Sequence, residues 1–215
     1  MIAQLGNQVE YWNRVASSKT FTHPLDLNRF SQLVKKEGRI LDFGCGYGRL
    51  CDELWQEGFQ NLLGVDSSPQ MIERARSLFP DIPFQVVASL SLPFEDSSFD
   101  AVTLFAVLTC VISNEAQEQL IRELSRILRP GGILYVSDYP LQVDERNKIR
   151  YERDRGVFGD YGTFKTADGA VVRHHTAEWI ASLLSGFRKH AHFYLDLMTM
   201  NGNEARGFQY LGEKL

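Results

Sequence analysis

Reactive chemistry gathers first at RILDFGCGYG, residues 39–48, where Gly44, Gly46 and Gly48 stand at alternate positions after an apolar run. A backbone without side chains at such positions can approach a ligand closely and take dihedral angles that other residues resist. If a helix follows, its free N–H groups face the same ligand. Two carboxylates flank the loop: Asp42 precedes the first glycine, and Asp66 ends the run NLLGVD. A carboxylate in that second place can accept both hydroxyls of a ribose. The set points to a nucleotide-like ligand. The dinucleotide fingerprint GxGxxG would need a glycine where Arg49 stands, so the array here is GxGxG instead.

These residues need a scaffold, and the hydrophobic rhythm supplies one. Residues 39–43, 61–65, 83–87, 99–107 and 132–139 read as strands, and 47–57, 69–79 and 114–129 as helices. Gly58 is a helix stop, and Pro69 is favoured in a first turn. Strands alternating with helices give a parallel sheet covered on both faces by right-handed crossovers. The tail breaks the rhythm. Residues 176–184 read as a helix capped by Thr176, followed by strands over 187–198 and 204–212 around Asn201-Gly202, a strong hairpin signal. The expected fold is an α/β, Rossmann-like, doubly wound seven-stranded sheet, mostly parallel, with a C-terminal antiparallel hairpin. Residues 1–37 read as an amphipathic helical cap and 140–175 as an insertion, all within one domain spanning 1–215.

With these elements in place, the sequence resembles the class I S-adenosylmethionine-dependent methyltransferases. The likeness covers nearly the whole chain. ILDFGCGYG is similar to that family's first motif and LLGVDSSPQMI to its second. LPFEDSSFDAV and ILRPGGILYVSD follow in family order. The resemblance implies S-adenosylmethionine as methyl donor and S-adenosylhomocysteine as product. It implies that Gly44, Cys45, Gly46 and Gly48 run under the methionine part, with Asp42 beside its amino group. Asp66 would bind the ribose, while Ser67 and Met71 flank the adenine. Leu104, Phe105 and Ala106 would pass beneath the sulfonium, and Tyr11 would close over the cofactor. Many relatives place an acidic residue after the third strand for the adenine amino group. This chain has Ala88, Ser89 and Leu90 there, leaving the Ser89 hydroxyl or the main chain to serve.

Methyl transfer from a sulfonium needs position more than a catalytic triad, and a base only when the nucleophile arrives protonated. The acceptor should meet residues 10–24, 138–176 and 198–204, at the carboxyl edge of the sheet. Candidate contacts or bases are His174, His175 and Tyr139, with His23 a further pocket candidate. Arg150, Tyr151 and Arg153 lie in DERNKIRYERDR, which carries five basic and four acidic residues. That mixture equally fits a solvated helix face. Adjacent histidines on a strand diverge, and no cysteine or carboxylate cluster stands near, so no metal site is expected. Cys110, after a threonine, lacks the Pro-Cys context of cytosine C5 methyltransferases.

The formal net charge of -4 argues against bulk nucleic-acid binding. Three cysteines without CxxC spacing fit a reducing cytoplasm. Residues 1–10 lack a signal-peptide pattern, and no apolar run would span a bilayer. The expected partner is a small-molecule acceptor, with no membrane and oligomeric state open. RNA or protein acceptors, a non-catalytic cofactor-binding module, and a nucleotide-dependent oxidoreductase are the alternatives.

Overall fold

The structure, a computed structural model, describes residues 6–215. The part of the N-terminal helix expected over residues 1–5 lies outside them. Helix α1 spans Gly6–Val15 and a short α2 spans Leu27–Leu33, with an irregular strap between. Then come β1 (Ile40–Phe43), α3 (Arg49–Gln56), β2 (Leu62–Asp66), α4 (Pro69–Leu78), β3 (Phe84–Val86), β4 (Phe99–Phe105), α5 (Asn114–Ile127) and β5 (Leu128–Asp138). The chain continues through α6 (Glu145–Phe158), β6 (Thr163–Lys165), β7 (Val171–Arg173), α7 (Ala177–Leu183), β8 (Phe187–Met198) and β9 (Glu204–Lys214).

Seven strands form one sheet in the order β3-β2-β1-β4-β5-β9-β8. The first five are parallel, and β9 runs antiparallel to both β5 and β8. Strand β5 begins pairing at Leu128, earlier than the apolar pattern suggests, because Leu128 already sits opposite Phe99 ahead of the bulge. The insertion is ordered as α6 followed by the small antiparallel hairpin β6–β7.

Alternation along the strands divides the core. Leu41, Val102, Leu104, Leu134 and Val136 face one apolar layer with α5 and α7. Ile40, Ala101, Ile133 and Tyr135 face the other, beneath α2, α3 and α4. Side-chain caps start the helices where loops leave the sheet: Ser68 accepts from the Met71 N–H, Ser113 from Ala116, and Thr176 from Trp179.

One buried polar chain fastens the N-terminal strap to the sheet. Tyr135 is fully buried on β5; its hydroxyl donates to Gln209 Oε1 on β9 at 2.6 Å and accepts the Asp26 N–H at 3.0 Å. Tyr135→Phe should leave both partners unmatched. We expect a loss of about 1–3 kcal/mol in urea unfolding with an unchanged m-value.

Candidate active site

In an open α/β sheet, ligands bind where strand order reverses, outside the carboxyl ends of the strands. Here that point lies between β1 and β4. The loop after β1 and the loop after β4 meet across it: a Cβ on Gly44 would fall 2.3 Å from Val107 Cγ2. Gly46 has φ +53°, and a Cβ there would fall 1.9 Å from the Phe21 ring. Glycine at these two positions therefore answers both backbone conformation and the close approach of protein side chains. The ligand space expected directly above Gly46 is held by Phe21. Gly48 is the N-cap of α3.

Asp66 locks this loop. Its Oδ2 accepts the Gly46 N–H at 2.9 Å and its Oδ1 the Ser68 N–H at 2.8 Å. Burial raises its pKa, and these N–H groups work against that rise. Asp42 is buried beside it, accepting from Thr103 Oγ1 at 2.6 Å, and burial lifts its pKa to about 6. The cleft floor consists of Asp42, Phe43, Gly44, Cys45, Asp66 and Ser67. Its walls include Arg49, Met71, Val87, Phe105, Ala106 and Tyr139.

A lid covers the floor. Trp12, Phe21, Thr22, His23 and, from the β8–β9 turn, Met200 line the cleft from above. Phe21 stacks on Tyr47 with centroids 5.1 Å apart, and Trp12 meets Phe21 edge-on at 6.0 Å. Asp168, between β6 and β7, holds the lid down. Its carboxylate accepts from Tyr11 Oη at 2.8 Å, Lys19 Nζ at 2.6 Å and Thr166 Oγ1 at 2.6 Å. Lys19 also reaches Asn201 Oδ1 in the β8–β9 turn. Burial pushes the Asp168 pKa up, but these donors outweigh it and hold it well below the usual carboxylate range.

Comparison with known proteins agrees with this geometry. The profile of the family described as "Methyltransferase domain" matches residues 41–136. The chain is 27% identical over 192 residues to the ubiquinone/menaquinone biosynthesis C-methyltransferase UbiE of Campylobacter jejuni, covering 86% of this chain and 76% of that one. An eEF1A lysine and N-terminal methyltransferase of Xenopus laevis is 34% identical over 109 residues, 46% of this chain and 16% of that one. A SAM-dependent methyltransferase structure from Methanosarcina mazei superposes with a TM-score of 0.84 at 25% identity, over 90% of this chain and 99% of that one. These matches support a class I S-adenosylmethionine-dependent methyltransferase.

Within this methyltransferase, the expected residues divide. Asp42, Gly44, Cys45, Asp66, Ser67, Met71, Phe105, Ala106 and Tyr139 line the cleft together. Leu104 does not; it faces the core, fully buried. Tyr11 turns away to Asp168, and its neighbour Trp12 takes the place over the cleft. Beyond β3 the wall residue is Val87, whose N–H donates to Asp66 O at 2.9 Å. Ala88 is exposed, Ser89 binds the Ser91 N–H, and Leu90 enters the core.

His174 and His175 are absent from the cleft wall, contrary to expectation. His174 Nδ1 accepts from the buried Tyr151 hydroxyl at 2.6 Å. His175 bonds Gln117 Nε2 at 2.9 Å and the Tyr139 carbonyl at 3.2 Å. Both are buried and bonded within the fold, and burial lowers their pKa to about 3 and about 4. Arg153 pairs with Asp154, and Arg150 packs over Phe164. Residues 140–175 contribute nothing to the cleft lining; they brace the lid from behind. Cys110 lines the cleft, but burial pushes its thiol pKa up, so it stays protonated.

Sequence reasoning passed over Gln8 and Arg49, both in the wall. Arg49 donates to the His23 carbonyl at 2.6 Å and pairs with Glu53, and among the described residues its buried Nε and Gln8 Oε1 have no partner. In the sequence Arg49 stands out only as the residue that breaks the dinucleotide fingerprint. Its place in the first turn after the glycines was the available signal.

Asp168→Ala should free the strap. We expect stability to fall by about 1–2 kcal/mol, these contacts being partly exposed, and Trp12 to become more quenchable by acrylamide. The Asp168 contribution is fully present above the ordinary carboxylate pKa near 4, and is lost only as pH falls through its depressed folded value. Asp138 behaves oppositely. It is fully buried, accepts the N–H groups of Tyr139 at 2.8 Å and Thr109 at 3.1 Å, and burial raises its pKa to about 7. Its favourable contribution is complete below pH ~4 and fades as pH rises through about 7. Asp138→Asn should therefore flatten the stability slope between pH 5 and 8 in urea titrations, whatever it does to stability at one pH.

Proposed function

We propose that this methyltransferase acts on a small molecule enclosed beneath the lid. The observation that carries this reading is the clasp at Asp168. It joins the N-terminal strap, the β6–β7 turn and, through Lys19, the β8–β9 turn over one cleft. A folded protein or an RNA duplex would need an open, basic rim. The cations nearest the mouth are engaged instead: Lys19 and Arg14 on Asp168, and Arg74 on the carbonyls of Ala16 and Lys19. The UbiE likeness supports a small acceptor. The eEF1A methyltransferase likeness covers only 46% of this chain, against 86% for UbiE.

The cleft residues fit S-adenosylmethionine. Asp66 retains lone pairs beyond its two backbone bonds for ribose hydroxyls. Asp42 supplies a second carboxylate. The unmatched Arg49 Nε is a donor suited to a carboxylate, and Gln8 Oε1 an acceptor suited to an N–H or O–H. When bound, the cofactor supplies a methyl group already activated by its sulfonium. The protein's share is to orient and to exclude water. Trp12, Phe21 and Met200 shield the cleft, and Phe105 and Ala106 shape its side. Neither Cys110 nor Tyr139 serves as a base, because burial keeps both protonated.

Calorimetric titration should show micromolar affinity for S-adenosylmethionine or S-adenosylhomocysteine and none for NAD. Asp66→Ala should weaken that affinity at least about tenfold, roughly 1.4 kcal/mol. With methyl-labelled cofactor and a cell extract, label should enter the low-molecular-weight fraction. Label confined to protein or RNA would overturn the small-molecule reading.

A further inference from the structure

His23 stands in the cleft wall, 3% exposed, between Ser137 behind it and Tyr139 beside it. Its Nδ1 lies 2.9 Å from Ser137 Oγ, and its Nε2 is buried with no partner among the described residues. Which nitrogen bears the proton is settled by the chain of groups behind the ring. The Tyr135 hydroxyl accepts the Asp26 N–H, so its own hydrogen goes to Gln209 Oε1. That fixes the Gln209 amide, whose Nε2 donates to the Pro24 carbonyl at 2.6 Å and reaches Ser137 Oγ at 3.5 Å. Ser137 is fully buried, and among the described residues the one acceptor its hydroxyl hydrogen meets is His23 Nδ1. The opposite tautomer would strand that hydrogen in the core. Burial, helped by the nearby Arg49 charge, keeps the ring neutral. His23 thus presents a fixed N–H, not a base, to the cleft.

Resting on the methyltransferase reading above, we propose that the His23 Nε2–H is the hydrogen-bond donor of the acceptor subsite, and that the acceptor is an aromatic or enolic molecule whose oxygen it receives. The surroundings favour a flat ligand. Tyr139 meets the His23 ring edge-on at 4.6 Å, and Trp12, Phe21, Phe105 and Met200 line the same cleft. A neutral donor in an apolar wall stabilises a phenolate or enolate oxygen more than it would in water. It also orients the acceptor by one polar point, as small-molecule sites commonly do. His23 is positioned without drawing on the cofactor residues Asp42 and Asp66, so its effect is separable from theirs.

The test has two parts. In protein labelled with 15N-histidine, the His23 ring, assigned by its loss in His23→Gln, should carry its proton on Nε2; a proton on Nδ1 overturns the proposal. Next, 4-nitrophenol is titrated into protein saturated with S-adenosylhomocysteine, following phenolate absorbance. His23→Ala should weaken nitrophenol binding about tenfold. His23→Gln, which keeps an N–H near the Nε2 position, should restore most of it. Both variants should bind S-adenosylhomocysteine as the parent does, which also shows that they are folded. Equal loss of both ligands would make His23 a cofactor contact and overturn the proposal. Tight S-adenosylhomocysteine binding without nitrophenol binding by the parent would overturn the acceptor class. Failure of the parent to bind S-adenosylhomocysteine would strike the cofactor reading, and the acceptor subsite with it.

Discussion

The glycine loop turns over the sheet edge because the Asp66 carboxylate receives an amide hydrogen from each side, Gly46 on the loop and Ser68 at the start of α4. Burying a carboxylate is costly unless donors meet it, and two backbone N–H groups are rigid, pre-placed donors. The bond to Gly46 draws the loop toward β2. The bond to Ser68 sets the first turn of α4, whose cap also grips the lid: Ser68 Oγ lies 2.7 Å from Asn13 Oδ1 on α1. One side chain thus links the sheet, the loop, a helix terminus and the cover. The cleft depth follows from it, because Gly44 can then seat against Val107 and Gly46 against Phe21.

The lid obeys a second carboxylate with a different balance. Both are partly exposed, but Asp168 is held by side chains and Asp66 by backbone N–H groups. An exposed clasp exchanges its protein partners for water cheaply, so the lid can open without unfolding the sheet. The insertion that supplies Asp168 therefore matters to the cleft as a brace. Its own buried interior, Tyr151 with His174 and Phe164, gives that brace a small core.

The strands, the hairpin and the glycine loop were legible because each rests on local pattern: alternation, turn chemistry and residues excluded by sterics. Facing direction was not. Tyr11 and Trp12 are neighbours on a helix, about 100° apart around its axis, and which one faces the cleft depends on where Asp168 lies, 157 residues away. His174 and His175 stand out as a pair, yet Tyr151 takes one nitrogen of His174, and Gln117 and the Tyr139 carbonyl take both of His175. His23 stood alone in FTHP and kept a free one. The difference is a matter of hydrogen-bond partners brought by β5 and β9, which no spacing rule encodes. Val87 rather than Ala88 reaches the cleft because β3 ends early, its last register pair being Val86 with Asp66.

The wall leaving β4 is assembled from features that cost stability. Ala106 holds φ at +54°, a conformation alanine resists, and its N–H is tied to Ser137 O at 2.7 Å. Asp138 is a buried carboxylate at the same corner, its bond to the Thr109 N–H pinning the turn Leu108–Cys110. Relieving either would be simple in composition: glycine at 106, an uncharged residue at 138. Either change would also loosen the segment that carries Ala106, Val107 and Cys110 into the cleft and sets Tyr139 and Ser137 opposite. Ser137 is the group that fixes the His23 proton. Strain and a buried carboxyl group at this corner are thus the means by which a short turn after β4 holds one face of the cleft, while the opposite face, the lid, is held by the partly exposed Asp168 clasp.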